Sequence, residues 1–379
     1  MKYPQQRKGF DKEDLKWIRD EPLAPWTTFH VGGCADYFVA VRDSSCIPGI
    51  VNTAKDLGLP LFLLSGGSNV LISDRGYSGV IMQLQSQGIT VQNETAERVT
   101  LAVRAGENWD AFVQHCVSNG WWGLENLSHI PGMVGAAVIQ NIGAYGSEIS
   151  NAVASVDVFD RSTGEHLQLK HEECGFSYRK SIFNTDKKGR FIILQVYLSL
   201  EKNGKPQLGY RDLTTYFHNR FNSNPTQEQV RQAIIAIRNS KFPFPATAKG
   251  GNAGSFFKNL QVSSSEFERV LRILYDSYGT DYSMRLETLQ KTRTGLKRFI
   301  PTALLMDALG LKNTRIGGAY INPTQPLVIL NSGSAASDDI MRLFKHVRQQ
   351  IFRQFELKVP NEPELVGFTK QEYEAYFEL

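Results

Sequence analysis

The sequence predicts an α+β protein made of more than one folding unit, and three observations carry that prediction. The chain has 379 residues, more than one simple core serves and suited to two or three domains. Short apolar runs of strand length alternate with segments of helical spacing from residue 36 onward. The proline-rich stretch Lys241-Phe-Pro-Phe-Pro245 punctuates the chain between two such regions. Hydrophobic residues at 41% and charged residues at 21% are an ordinary globular balance, which excludes a disordered or fibrous chain.

Taken in order, residues 1–21 mix Lys and Arg with Asp and Glu and lack an apolar stretch. They read as a polar extension and not a secretory signal. Pro22 and Pro25 mark an entry loop. Residues 36–41 form a predicted strand. Residues 44–57 form a helix capped by Ser44 or Ser45 and stopped by Gly58. Strands follow at 61–64, 70–72 and 80–84, completing a compact α+β unit. A second unit starts with a strand at 99–103 and a helix at 109–118. A glycine-rich segment, 120–146, leads to strands at 153–159, 167–169 and 191–200. Residues 201–226 are polar, with Gly, Pro and Asn, and read as a long loop before a helix at 229–239. Beyond Pro245, helices at 263–278, 301–309 and 338–355 with strands at 320–321 and 327–330 make a third, α/β unit. The domain boundaries read as 22–86, 87–240, 241–359 and a C-terminal segment 360–379.

The net charge of +4 is too mild to point to nucleic acid. The longest apolar stretch, 191–200, is too short to span a bilayer. Cys34, Cys46, Cys116 and Cys174 form no C-x-x-C pair and no Cys/His cluster with zinc spacing. They read as four reduced core thiols, with no metal expected and the cytoplasm as the compartment.

Five segments carry chemistry. In Leu63-Leu-Ser-Gly-Gly-Ser-Asn-Val-Leu71 a strand ends in two glycines and two small polar residues. Backbone N–H groups there can face an anion, so the loop is either a pyrophosphate cradle or an ordinary turn. No G-K-[ST] follows it, and the chain holds no G-x-G-x-x-G, which excludes the P-loop and the Rossmann fingerprint. Residues 123–146 are small and apolar, with glycines at 132, 135, 143 and 146 and no charge between Glu125 and Glu148. Such backbone can press on a flat ring system while Gln140 and Asn141 meet its heteroatoms. Cys174-Gly-Phe-Ser-Tyr-Arg-Lys-Ser-Ile-Phe183 presents Arg179, whose guanidinium suits a carboxylate. Asn252-Ala-Gly-Ser-Phe-Phe-Lys-Asn259 presents Ser255, and Pro360-Asn-Glu-Pro-Glu364 presents Glu364.

Together these segments resemble the UDP-N-acetylenolpyruvoylglucosamine reductases (MurB) over nearly the whole chain, in the branch with an extra tyrosine loop. Ser65–Leu71 matches that family's pyrophosphate loop, and 123–146 its flavin-facing segment. Ala105-Gly-Glu-Asn-Trp109 matches the start of its second FAD-binding domain, and Trp26-Thr-Thr-Phe-His-Val-Gly-Gly33 its T-x-F-x-x-G element. The resemblance implies a two-domain FAD-binding fold of the vanillyl-alcohol-oxidase/MurB type, plus the third domain for substrate. It implies non-covalent FAD, NADPH as reductant and a nucleotide-sugar substrate, with no nucleic-acid partner and a monomeric chain. Ser65, Gly66, Gly67, Ser68, Asn69, Val70, Gly132, Gly135, Ala136, Ala137, Gln140 and Gly143 are the implied FAD contacts. Arg179 and Glu364 are implied at the enolpyruvyl carboxylate, with Ser255 as proton donor. Tyr178, Tyr210, Lys241, Asn259 and Lys312 are implied substrate contacts, Tyr210 from the covering loop 201–226. The implied reaction is NADPH-dependent reduction of UDP-N-acetylglucosamine enolpyruvate to UDP-N-acetylmuramate in peptidoglycan precursor synthesis. Another FAD-dependent oxidoreductase of the same fold is the alternative.

The chain departs from the family at Ala136-Ala137, where two serines are common, and at Val366, where Arg is common. His129, Cys34 and Cys116 sit in no motif that favours covalent flavin attachment. Acid precipitation is therefore expected to release the yellow colour into the supernatant; colour retained in the pellet with an added flavin mass would contradict this.

Overall fold

In the first of its two compact units the chain builds two sheets, and in the second a smaller sheet system covered by helices. The computed structural model describes residues 16–218, 220, 224–241, 250–291 and 298–379. Unit 1 comprises the described part of the chain through Glu21, then Ala35–Gly66 and Ser78–Ser240. Unit 2 comprises Pro22–Cys34, Gly67–Tyr77 and Lys241–Leu379. Each unit has its own apolar core.

Unit 1 opens with a strand the sequence reading missed. Trp17–Pro22, taken as part of a polar extension, lies at the edge of a four-stranded sheet in the order Trp17–Pro22, Cys34–Val41, Tyr77–Leu84, Leu61–Leu64. Arg19 and Asp20 face solvent, as an edge strand allows, while Trp17 packs edge-on against Tyr37. The first helix runs Ile47–Asp56 after a 3-10 turn, Ser44–Cys46. Asp43 caps the 3-10 turn, its carboxylate accepting from Ser45 N at 2.9 Å, and the helix itself starts after Cys46, so neither Ser44 nor Ser45 is its cap. A five-stranded antiparallel sheet follows, ordered His166–Lys170, Val153–Asp160, Phe191–Glu201, Arg98–Arg104, Ile89–Glu94. Helix Trp109–Ser118 packs Trp109, Phe112, Val113 and Cys116 into the core, and Trp109 Nε1 donates to the Leu127 carbonyl at 2.9 Å.

The stretch 201–226 is not simply a loop. Arg211–His218 is helical. Leu213 and Phe217, one turn apart, bury against Tyr145 and against Val230, Ala233 and Ile234 of helix Gln227–Lys241. Two apolar positions in a polar segment supply a narrow stripe, too weak to register as periodicity.

Unit 2 is organised by helix Ser337–Phe355. Ile340, Phe344, Val347, Ile351 and Phe355 form its buried face. Phe256 and Phe257, both fully buried, meet Phe344 at 5.3 and 5.6 Å between ring centroids. Helix Ser264–Tyr278 begins in a capping box formed by Ser263 and Glu266. Helices Thr280–Lys291 and Lys370–Phe377 and strand Glu364–Val366 were not anticipated. That strand pairs in parallel with Val70–Ile72, Glu364 opposite Val70. Of the four cysteines, all free, Cys116 and Cys174 are core residues, but Cys34 is exposed and Cys46 half-buried.

Thr28 ties three segments of unit 2 together. Its N–H donates to Gly67 O at 3.0 Å, and its carbonyl accepts from Asn252 N at 2.9 Å. Its hydroxyl donates to Asn252 O at 2.6 Å. Thr28→Val keeps the shape and removes the hydroxyl. The urea midpoint is expected to fall by the equivalent of about 1 kcal/mol, and Thr28→Ser to recover most of it; equal stability of all three would show that the hydroxyl bond carries no weight.

Candidate active site

On unit 1 the site begins where strand Leu61–Leu64 stops. The carbonyl of Ser65 accepts from Gln83 Nε2 at 3.1 Å, while its Oγ is shielded from solvent with no hydrogen-bond partner among the described residues. A Cβ on Gly66 would stand 2.9 Å from Gly132 Cα, so this position admits no side chain: bare backbone lies on bare backbone. Residues 132–135 are fixed from beneath by the 105–109 segment. Trp109 N donates to Gly132 O at 3.0 Å, Val134 N to Glu107 O at 2.9 Å and Gly135 N to Ala105 O at 2.9 Å.

The glycine-rich segment then forms a short helix, Val134–Ile139. Its periodicity sorts the expected flavin contacts. Gly135 and Ala137 turn into the core, Gly135 directly against Ala105, while Ala136 and Gln140 remain half-exposed. Asn141 is fully buried. Its amide donates to Glu148 Oε2 at 2.8 Å and to Ser177 O at 2.9 Å, and its Oδ1 accepts from Ser150 N at 3.2 Å.

Arg179 sits at the corner of a tight turn in which Ser177 and Lys180 exchange both backbone hydrogen bonds, 3.0 and 2.9 Å. Its φ is +56°, a conformation that turns normally give to Gly or Asn. A half-buried arginine keeps such a conformation only where the surrounding structure holds it. Arg179 Nη2 donates to Gly143 O at 2.8 Å, and a Cβ at Gly143 would lie 3.0 Å from Nη1. The Tyr178 ring lies 5.2 Å from the guanidinium carbon.

Tyr210 stands just ahead of helix Arg211–His218, 45% exposed, with its ring edge-on to Tyr145 at 5.4 Å. Burial pushes the Tyr145 phenol up to about 12, so it stays neutral at physiological pH. The preceding residues are pinned. Gln207 O accepts from Asn126 Nδ2 at 3.0 Å, and Leu208 O from Thr214 Oγ1 at 2.7 Å.

On unit 2, Gly67, Ser68, Asn69 and Val70 continue the loop. Glu364 N donates to Asn69 O at 2.9 Å, which sets the C-terminal glutamate beside the loop. The Ser255 segment is held on both flanks. Phe256 N donates to Leu327 O at 2.6 Å, Glu362 N to Phe256 O at 2.8 Å and Lys258 N to Pro360 O at 3.0 Å. Ser255 is thus fixed by backbone bonding and by the buried phenylalanines after it, and its Oγ has no hydrogen-bond partner among the described residues. Unit 2 brings Asn69, Val70, Ser255 and Glu364 onto one continuous backbone hydrogen-bond network. Asn259 uses its Oδ1 to accept from Thr302 N at 3.1 Å. Lys312 pairs with Asp307 at 2.5 Å, and the Lys241 carbonyl accepts from Asn322 Nδ2 at 3.2 Å.

A flavin nucleotide fits what unit 1 offers: a buried hydroxyl with no partner, a glycine contact that excludes side chains, and a half-exposed amide at Gln140. Residues 35–170 match the family model of the FAD binding domain. The fold as a whole resembles the crystal structure of UDP-N-acetylenolpyruvylglucosamine reductase (MurB) from Thermus caldophilus, with a TM-score of 0.61 and 22% identity over 93% of this chain and 98% of that one. The protein is thus an α+β protein with an FAD-binding fold. Residues 245–366 match the model of the UDP-N-acetylenolpyruvoylglucosamine reductase C-terminal domain. Reductases of that name from Pseudomonas putida and Salmonella typhimurium are 35% and 36% identical, over 93% and 91% of this chain and 99% and 95% of their own lengths. One from Neisseria meningitidis serogroup A is 34% identical over 90% of this chain and 95% of its own. The chain belongs to the UDP-N-acetylenolpyruvoylglucosamine reductase family.

Sequence reasoning missed Thr28, Tyr145 and Asn184 as site-building residues, and it set Asn141 against ring heteroatoms, whereas that buried amide is engaged by Glu148, Ser177 and Ser150. Thr28 lies inside the quoted T-x-F-x-x-G element, but the bonds it makes join segments far apart in the chain. Gly66→Ala tests the glycine contact. The added methyl must push the loop off Gly132, and overpacking of about 1–3 kcal/mol predicts FAD binding weakened at least about fivefold; an unchanged Kd in a fluorescence titration of the apoprotein would show that the contact is dispensable.

Proposed function

We propose that this protein reduces the enolpyruvyl ether of UDP-N-acetylglucosamine enolpyruvate to UDP-N-acetylmuramate, with FAD as cofactor and NADPH as reductant, in the supply of peptidoglycan precursors. The observation that carries the proposal is membership of the reductase family across nine-tenths of the chain, with both its FAD-binding and its C-terminal domain matched. Ser65–Val70 and the half-exposed face of residues 132–143 would hold FAD. The chemistry FAD supplies when bound is acceptance of hydride from NADPH and its delivery to the substrate.

The protein's own residues supply position, charge and a proton. As hydride arrives at the enolpyruvyl C3, negative charge develops at C2 and spreads into the carboxylate. The Arg179 guanidinium, already turned toward Gly143 O and backed by Tyr178, offers a fixed positive charge and a planar fork for that carboxylate. Glu364, set beside Asn69, is the second residue assigned to polarise it. Ser255 gives its hydroxyl proton to C2, a role that suits an Oγ with no competing partner among the described residues. Tyr178, Tyr210, Lys241, Asn259 and Lys312 are the substrate contacts. Asn259 brings its amide N–H groups, since its Oδ1 is engaged, and Lys312 must share its ammonium with Asp307. We further propose that the protein acts in the cytoplasm as a monomer, and that 22–86, 87–240 and 241–359 are its domains. Among the described residues no helix is long and apolar enough to cross a membrane.

Ser255→Ala separates proton delivery from the rest. The variant is expected to bind FAD and to be bleached by NADPH at a near-normal rate. Reoxidation by the enolpyruvyl sugar should slow by about 10²–10⁴-fold, the usual value of general-acid help. Stopped-flow absorbance reads both half-reactions; equal slowing of the two, or of neither, would make Ser255 structural and overturn the second step.

A further inference from the structure

We infer that Asn184 is a positioning residue that couples the arginine of the carboxylate site to the flavin-facing glutamine, an inference that rests on the assignment of Arg179 above. Asn184 lies just after the quoted Cys174–Phe183 segment and is half-buried. Its Nδ2 donates to two acceptors, Gln140 Oε1 and the Arg179 carbonyl, both at 3.2 Å. Its Oδ1 accepts from Ser181 N at 2.9 Å. Ser181, fully buried, donates in turn from Oγ to Ile139 O at 2.7 Å. One amide therefore joins the end of helix Val134–Ile139 to the Arg179 turn.

The strain at Arg179 gives this bond its importance. A non-glycine residue at φ +56° tends to relax unless its surroundings hold it. Besides the backbone pair between Ser177 and Lys180, side-chain bonds hold the turn: Asn141 Nδ2 on Ser177 O, the guanidinium on Gly143 O, and Asn184 on the Arg179 carbonyl. The peptide that follows Arg179 is held on its N–H side by Lys180 N donating to Ser177 O and on its carbonyl side by Asn184. Without Asn184 that peptide keeps one tie where it had two, the strained residue relaxes more easily, and the guanidinium loses its fixed aim. The same loss frees Gln140 Oε1, so the amide facing the flavin also loses its set orientation.

The test uses the FAD-loaded full-length protein, with flavin content checked from its spectrum. Asn184→Ala is expected to keep FAD, to slow reoxidation by the enolpyruvyl sugar about tenfold, as loss of one or two hydrogen bonds predicts, and to alter the shape of the visible flavin band. Asn184→Asp retains the acceptor for Ser181 N and lacks both donors; it should match the alanine variant within about twofold. In an Arg179→Ala background the Asn184→Ala effect on reoxidation should shrink to about twofold or less, since Asn184 acts through Arg179. Wild-type reoxidation in the aspartate variant would overturn the inference, as would a full tenfold loss in the Arg179→Ala background. If Arg179→Ala alone leaves reoxidation unchanged, the assignment of Arg179 fails first and the coupling falls with it.

Discussion

The second unit depends on how one threonine satisfies glycine-rich backbone. Gly67 and Asn252 belong to segments with few side chains of their own to pack, and such backbone keeps its shape only if its polar groups find fixed partners. Thr28 provides them with its N–H, its carbonyl and its hydroxyl. From there the order passes along main-chain bonds: Asn252 leads to Ser255, whose neighbours bond to 327 and to 360–362, and Glu364 closes on Asn69. Nothing in this chain of contacts requires a charged pair. It is a sheet-like arrangement of irregular segments, stiffened by Phe256 and Phe257 beneath.

The first unit solves a different problem. On the role proposed for Arg179, it must hold a cation where a carboxylate can reach it, without burying that cation unpaired. The solution is a turn forced into a left-handed corner at Arg179, with the guanidinium resting on a backbone carbonyl. A carbonyl satisfies the N–H donors without cancelling the charge, so the positive potential remains for an incoming anion. Gly143 supplies that carbonyl and lacks the side chain that would crowd the guanidinium. The buried, neutral Tyr145 adds polarity without competing charge.

How far these features were legible depends on their range. The order of the main strands and the long helix at 337–355 could be read because their signals are local and periodic. The Arg179, Ser255 and Glu364 segments could be read because each resembles a family motif. Helix Arg211–His218 escaped because only Leu213 and Phe217 mark its buried face. Glu364–Val366 escaped because a three-residue strand exists only by virtue of its partner at 70–72. Asn184 carries no mark at all: a polar residue after S-I-F is unremarkable until folding sets Gln140 and Arg179 within reach of one amide. Gly135 and Ala137, grouped with the flavin contacts by their neighbours, face the core with Val134 and Val138 because each helical residue is turned about 100° from the last.

The interlaced connectivity of the two units has a consequence for biosynthesis. The chain passes from one unit to the other at 21/22, 34/35, 66/67, 77/78 and 240/241, so neither unit is a contiguous piece of polypeptide. Strand Val70–Ile72 emerges from the ribosome well before its partner Glu364–Val366 exists. At about 5–20 residues per second, the roughly 300 residues between them take on the order of 15–60 s to be made. Phe29, Val31 and Leu71 of the two early segments belong to a core whose other members run from Ala253 to Val359, so they wait for much of that interval. The nascent chain therefore carries these early segments of unit 2 without their partners until late, and strand Val70–Ile72 gains its ladder only when residues 364–366 have been made.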